Sequence, residues 1–487
     1  MKLSDDHLVD LPDGVERPRY DRKTLTAGIV HVGVGNFHRA HQAWYLHRMM
    51  QAGRALDWAI LGAGVRDYDA AMRDRLLGQD CLTTLVELDP AHHGVEVTGS
   101  MIDYLPIAPD NGPLVAAMAD PAIRIVSMTV TEGGYYRDAE GRFDPDHPDI
   151  RHDAANPGAP RTVFGAMVAA LGKRRDAGLP PFTGLSCDNL QGNGDILRAC
   201  VTGLARLSDP ALADWIDAEG AFPNSMVDCI VPATGPELIE RVRALGIDDA
   251  APVSHESFRQ WVMEDRFCAG RPAWEEVGVT VTDDVHAYEA QKLRILNGGH
   301  QLLANAGEIL SVPTIAATMR DADIAAFFQK VQKAEILPHV VPVPDMTPAD
   351  YLALVTRRFS NPEIHDTTRR VAFDGSSRHP GFLHPVIRDA LDAGAPCDGL
   401  ALAEALWARM CAGVREDGTE IEPNDPQWDR LKAAALAAKE APQVWLDQSA
   451  IYGDLGQAAP FASAFDRWLR ALWRDGTRAT LQAYAAS

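Results

Sequence analysis

The first clear pattern along the chain is the short β-branched run at 27–32, Ala-Gly-Ile-Val-His-Val, which ends in Gly33-Val34-Gly35 and passes into a helical pattern through Met50. A strand, a glycine turn and a helix are predicted there. A second apolar run at 58–64 follows about 25 residues later, where the second strand of a βαβ unit falls. Runs at 123–130 and, less cleanly, 183–187 read as later strands, each leading into a polar cluster where an open α/β sheet places its ligand crevice. From about Tyr288 the pattern changes to long Ala- and Leu-rich helical stretches, including 321–335, 401–414 and 426–439. Asp425 is the expected N-cap of the last, with Pro426 at its first helical position. The fold class is therefore α/β: an N-terminal Rossmann-like, doubly wound sheet domain over 1–285, followed by a mainly α-helical substrate domain over 286–487.

Length agrees with two domains, since 487 residues exceed one typical core. No apolar stretch approaches the roughly 18 residues of a membrane span. The N-terminus, rich in acidic residues such as Asp5, Asp6 and Asp13, lacks the apolar core of a secretory signal, so a soluble cytoplasmic protein is expected. A formal net charge of −22 repels polyanions and excludes nucleic acid and anionic membrane as partners. The seven cysteines are scattered, without a C-x-x-C pair, and are expected to be reduced.

In a dinucleotide fingerprint the first glycine makes the tight turn, the second admits the pyrophosphate, and the helix start offers amide donors. Gly33 and Gly35 fit, with Asn36 and Phe37 opening the helix, but the third glycine position holds His38. Asp67 and Asp69, beyond the second strand, are candidates for the adenosine ribose hydroxyls and favour NAD. Arg66 beside them suits the 2′-phosphate of NADP, so both cofactors stay open with NAD preferred.

The segment 288–300 carries the densest chemistry. Wound as one helix, it places Glu289, Lys292, Asn297 and His300 within an arc of about 140°. Lys292 and His300 are then about 12 Å apart along the axis. The Gly298-Gly299 pair is expected to bend or end the helix and shorten that span. Alcohol oxidation needs a base for the hydroxyl proton and donors for the alkoxide. Lysine serves as base once burial and a cationic nicotinamide disfavour its ammonium form, and asparagine amides are neutral donors.

K-x-x-x-x-N-x-x-H, present as Lys292, Asn297 and His300, resembles the polyol-specific long-chain dehydrogenases, the mannitol dehydrogenase family, which also includes fructuronate reductase and arabinitol dehydrogenase. GVGNFHRAHQ from Gly33, TEGGY from Thr131, SCDN from Ser186, FPNSMVD from Phe222 and NPEIHDTTRRVAFDGSSR from Asn361 look like the same family, which normally carries His at the third glycine position. The resemblance implies NAD-dependent, metal-independent interconversion of a polyol and a ketose, D-mannitol and D-fructose or similar, by a monomer or homodimer. It implies Lys292 as general base, Asn189 and Asn297 as the oxyanion hole, and His300, Asp228 and Arg370 as partners of the substrate hydroxyls. Glu289 would pass the proton onward to solvent, and Arg378 is a more distant substrate candidate. Asn189 is preferred to Asp188 because an oxyanion needs a donor. No zinc-spaced ligand cluster stands in the sequence, in keeping with a lysine base. Two other readings stay open: a hexuronate reductase, whose substrate carboxylate Arg369, Arg370 and Arg378 would meet, and a non-catalytic nucleotide-binding protein.

Overall fold

The computed structural model describes residues 1–90, 94–138 and 141–487. The chain folds as two compact units, Met1–His286 and Ala287–Ser487.

The first unit is built on a five-stranded parallel sheet. Its strands are β1 (Ala27–Val32), β2 (Ala59–Ala63), β3 (Met101–Tyr104), β4 (Ile125–Met128) and β5 (Thr183–Ser186). Their order is β3-β2-β1-β4-β5, all parallel. Alternation along β1 explains why the run is apolar apart from His31, whose buried ring pairs with Ser127 Oγ at 2.8 Å. Val30 and Val32 pack with Met128 and Phe164 on one face, whereas Ile29 packs with Leu46, Met49 and Trp58 on the other. A parallel strand covered on both faces has no polar side to show. Strand order reverses at β1, with β2 on one side and β4 on the other, so the crevice at their C-terminal ends is where such a sheet takes a ligand. Two small sheets complete the unit. One joins Val15–Glu16, Val95–Thr98, Thr83–Glu87 and Val253–His255; the other joins Thr280–Val281, Gln260–Met263 and Ser225–Asp228.

The second unit is helical. Helices Gly298–Ile309 and Asp398–Cys411 are buried nearly all round, which suits their small Ala and Gly positions and makes them its centre. The start of Asp398–Cys411 is held by Glu335, whose buried carboxylate accepts from the amides of Gly399 and Leu400 at 2.8 and 2.9 Å. The expected 321–335 stretch is Ala322–Val331, capped by the Asp321 carboxylate, followed by a π-helical segment Gln332–Ile336. The expectation for 426–439 needs correction. That helix runs Trp428–Ala438, and Asp425 is not its N-cap. The Asp425 carboxylate instead accepts from Gln427 N and from both the amide and the hydroxyl of Ser376, so it ties two segments together. Among the described residues no helix is long and apolar enough to cross a membrane.

Candidate active site

At the end of β1 Gly33 adopts φ +90°, where a Cβ would collide with the Thr129 carbonyl, and Thr129 Oγ1 donates to Gly33 O at 2.7 Å. Only glycine makes this turn without strain. Gly35 follows with no neighbouring atom closer than 4.0 Å to where a Cβ would stand, and it precedes a helix, Asn36–Ala40, that has no side-chain cap. The backbone is thus bare where a phosphate would approach. Gly33, Gly35, Arg66, Asp69, Thr129 and Gly134 are among the residues lining an adjoining cleft of about 440 Å³. This shape and donor set fit a dinucleotide. At the third glycine position the His38 ring lies flat on His31, with centroids 3.4 Å apart and planes 12° from parallel, so close helix–strand approach is achieved by stacking. Burial pushes the His31 imidazole down to about 3 and His38 well below its ordinary value, so the pair is neutral.

Of the two aspartates, Asp69 lines the cleft and its Oδ2 accepts from the amides of Val65 and Arg66, both at 3.0 Å. Asp67 is exposed and outside the lining. Arg66 also lines it, its guanidinium donating to the Tyr136 hydroxyl at 3.0 Å. Asn36 spends its amide within the fold, donating to Pro232 O and Thr234 Oγ1, and Phe37 stacks on His41.

After β5 the buried Asp188 accepts from the amides of Val130 and Thr131 and from the Tyr135 hydroxyl, at 3.1, 2.9 and 2.7 Å. These bonds hold a segment in which Thr131 and Tyr136 both have positive φ, strain that needs such a clamp. Asp188 is thereby structural, and the next residue, Asn189, is exposed. Asp228 is buried at the end of its strand.

In the helical unit Lys292 is 5% exposed at the head of a π-helical segment, Lys292–Asn297, between helices Val285–Gln291 and Gly298–Ile309. The expectation that Gly298-Gly299 bends or ends the helix is not met. The helix continues through both glycines, and the departure from regular winding comes before them. Hydrogen bonds to the fifth residue make wider turns than bonds to the fourth, so Lys292 and Asn297, five apart, lie nearer one face than in an α-helix. The glycines serve packing: a Cβ on Gly299 would stand 2.6 Å from Gln332 Nε2 and 2.9 Å from Phe328.

Glu289 is buried one turn before Lys292. Asn297 Oδ1 and His300 Nε2 are buried with no hydrogen-bond partner among the described residues. The His300 ring stacks on Phe359, with centroids 4.1 Å apart. Burial first, opposed by Asp366 and reinforced by Arg370, Arg358 and Arg378, pushes His300 down to about 3, so it is a neutral hydrogen-bonding group. Arg370 gives its Nε and Nη2 to the buried Asp366 carboxylate, each at 2.5 Å, while Arg378 Nη1 donates to Val371 O at 2.7 Å. Sequence reasoning assigned no role to Phe359, Asp366 or Gln332. Asp366 at least lies inside the 361–378 motif; nothing local marks the other two. Among the described residues no group of three or more His, Cys, Asp or Glu side chains is placed to hold a metal ion.

The chain belongs to the mannitol dehydrogenase family, with residues 27–276 matching the mannitol dehydrogenase Rossmann domain and 284–473 the mannitol dehydrogenase C-terminal domain. It is 56% identical over 473 residues to a mannitol 2-dehydrogenase of Cereibacter sphaeroides, covering 97% of this chain and 99% of that one. A mannitol 2-dehydrogenase of Phaeosphaeria nodorum is 41% identical, over 100% of this chain and 86% of its own. Among solved structures, the Pseudomonas fluorescens mannitol 2-dehydrogenase ternary complex with NAD and D-mannitol matches with a TM-score of 0.95 at 41% identity, covering 100% of both chains. A substrate-free D-sorbitol dehydrogenase matches with a TM-score of 0.86 at 35% identity, over 99% of this chain and 100% of that one.

Proposed function

We propose that this chain is an NAD-dependent, metal-independent polyol dehydrogenase that interconverts a sugar alcohol, D-mannitol first, and the corresponding 2-ketose in the cytoplasm. The observation that carries the reading is 56% identity, over nearly the whole length of both chains, to a mannitol 2-dehydrogenase. The first unit would hold NAD along the Gly33–Gly35 turn, with Asp69, rather than Asp67, toward the adenosine ribose. When bound, the nicotinamide accepts hydride from the carbinol carbon in oxidation and returns it to the carbonyl in reduction. Lys292 takes the hydroxyl proton, and Glu289 moves it onward. Asn297 and Asn189 are the proposed donors to the oxygen as negative charge develops there, a role that lowers the barrier. Neutral His300, through its unpartnered Nε2, binds a neighbouring hydroxyl together with Asp228 and Arg370, and Arg378 lies further out. Because Asp366 takes two donors of the Arg370 fork, the site fits hydroxyl recognition better than a substrate carboxylate.

Initial rates of NAD and NADP reduction with D-mannitol, D-arabinitol and D-sorbitol, and of NADH oxidation with fructose and fructuronate, test the reading. EDTA-resistant, NAD-linked oxidation of D-mannitol is expected. Activity confined to fructuronate moves the protein to the hexuronate branch, and inactivity throughout leaves a nucleotide-binding protein. Asn297→Ala is expected to lower kcat by about 10²- to 10³-fold with little change in NAD affinity, as for loss of one oxyanion donor. A change confined to KM removes Asn297 from that role.

A further inference from the structure

We propose that Gln332 is a positioning residue for the reaction, its side-chain amide holding the π-helical turn that sets Lys292 and Asn297 on one face. The proposal deepens the reading of Lys292 as base and rests on it.

The carbonyl of Ile295 lies where the winding returns from five-residue to four-residue hydrogen bonds. Gly298 N there donates both to Leu293 O, five residues back, and to Ile295 O, three back. A shared donor of this kind serves neither carbonyl well. Gln332 Nε2 donates to the same Ile295 carbonyl at 2.7 Å, holding it from outside the helix.

The surroundings are shaped for that one bond. Gln332 is fully buried, and Gly299 leaves the gap its amide fills, since a Cβ there would stand 2.6 Å from Nε2. Oε1 of the same amide is buried without a partner, a cost that a methionine of similar volume would not carry. An amide at this position therefore loses on burial and gains, among the described residues, only through the bond to Ile295. Without that bond the segment is free to relax by one residue into regular α winding. Each residue of slip turns Lys292 relative to Asn297 by about 100°.

The test uses the full-length chain, with D-mannitol and NAD as probes. Gln332→Met is expected to lower kcat by about 10- to 100-fold, the scale of a base misplaced by an ångström, while NAD affinity and Tm stay near wild type. Amide hydrogen exchange across 292–297 should quicken in the same variant. Gly299→Ala leaves the donor in place and crowds it from the other side, so it is expected to reproduce both effects and carries the test where Gln332→Met fails to fold. Wild-type kcat and wild-type exchange in folded Gln332→Met overturn the proposal. So does a fall in kcat matched by an equal loss of NAD affinity and Tm, which marks a general packing role. Normal turnover in Lys292→Ala sinks the reading of the base, and with it the catalytic half of the proposal, while exchange at 292–297 still decides whether Gln332 holds the turn.

Discussion

Lys292→Ala is expected to lower kcat for polyol oxidation by about 10²- to 10⁴-fold, the range that one positioned general base contributes. NAD affinity should hardly change, because the Gly33–Gly35 turn, Thr129 and Asp69 belong to a different folded unit from Lys292. Truncation also leaves space on a buried helix face where a small primary amine can sit, so added methylamine should restore part of the rate. Initial rates with and without methylamine, set beside NAD binding measured by fluorescence, separate the outcomes. Near-normal turnover removes Lys292 from the chemistry. Loss of turnover together with loss of NAD binding shows a folding defect, and the methylamine arm then decides, since an amine that restores the rate acts only in an intact site.

The strand, glycine turn and helix at 27–50 were legible because each has a local cause. A doubly covered strand is mostly apolar, and a turn at φ +90° excludes side chains. The Lys292, Asn297 and His300 pattern was legible as spacing, but its winding was not. Whether a segment bonds to the fourth or the fifth residue is set partly by distant groups such as Gln332, 37 residues from the Ile295 carbonyl it serves. The same reason explains the misreading of Gly298-Gly299: a glycine pair looks like a hinge until the side chains that fill its space are known. Asp425 shows the reverse error. The residue before a proline reads as an N-cap by local rules, yet Ser376, from far along the chain, takes much of its carboxylate. The small sheets of the first unit escaped notice because strands of two to five residues leave too little alternation to read. That Asp188 is no oxyanion donor was legible from chemistry alone, since an ionised carboxylate only accepts. The clamp that Asp188 forms on Thr131 was not, because it joins the ends of two different strands.

Glu404→Leu is expected to destabilise the helical unit by about 3 to 5 kcal/mol, the cost of breaking a buried charged group away from its partners. Glu404 lies within Asp398–Cys411 and is fully buried. Its Oε1 is 2.9 Å from His379 Nδ1, and its Oε2 accepts from Tyr452 at 2.7 Å. Behind these, Trp445 Nε1 donates to the Tyr452 hydroxyl at 2.7 Å and Asn305 Nδ2 meets His379 Nε2 at 3.1 Å, so the proton of His379 belongs on Nδ1, facing the carboxylate. Leucine fills the volume but leaves His379 and Tyr452 as buried donors without an acceptor. Burial by itself pushes the Glu404 carboxyl up, but the His379 and His384 imidazoles and their hydrogen bonds outweigh it and hold it well below the usual carboxylate range. A carboxyl whose folded value is depressed stabilises the fold fully above its unfolded value, near 4.3, and loses that contribution as pH falls toward the folded one. Urea unfolding at neutral pH should therefore show the whole difference between wild type and Glu404→Leu, and the gap should narrow progressively as pH falls below about 4.3. Glu404→Gln keeps one acceptor and should fall between them. A Glu404→Leu protein within about 1 kcal/mol of wild type at neutral pH would show that apolar packing replaces the network without loss, the outcome known for some buried ion pairs exchanged whole for hydrophobic side chains.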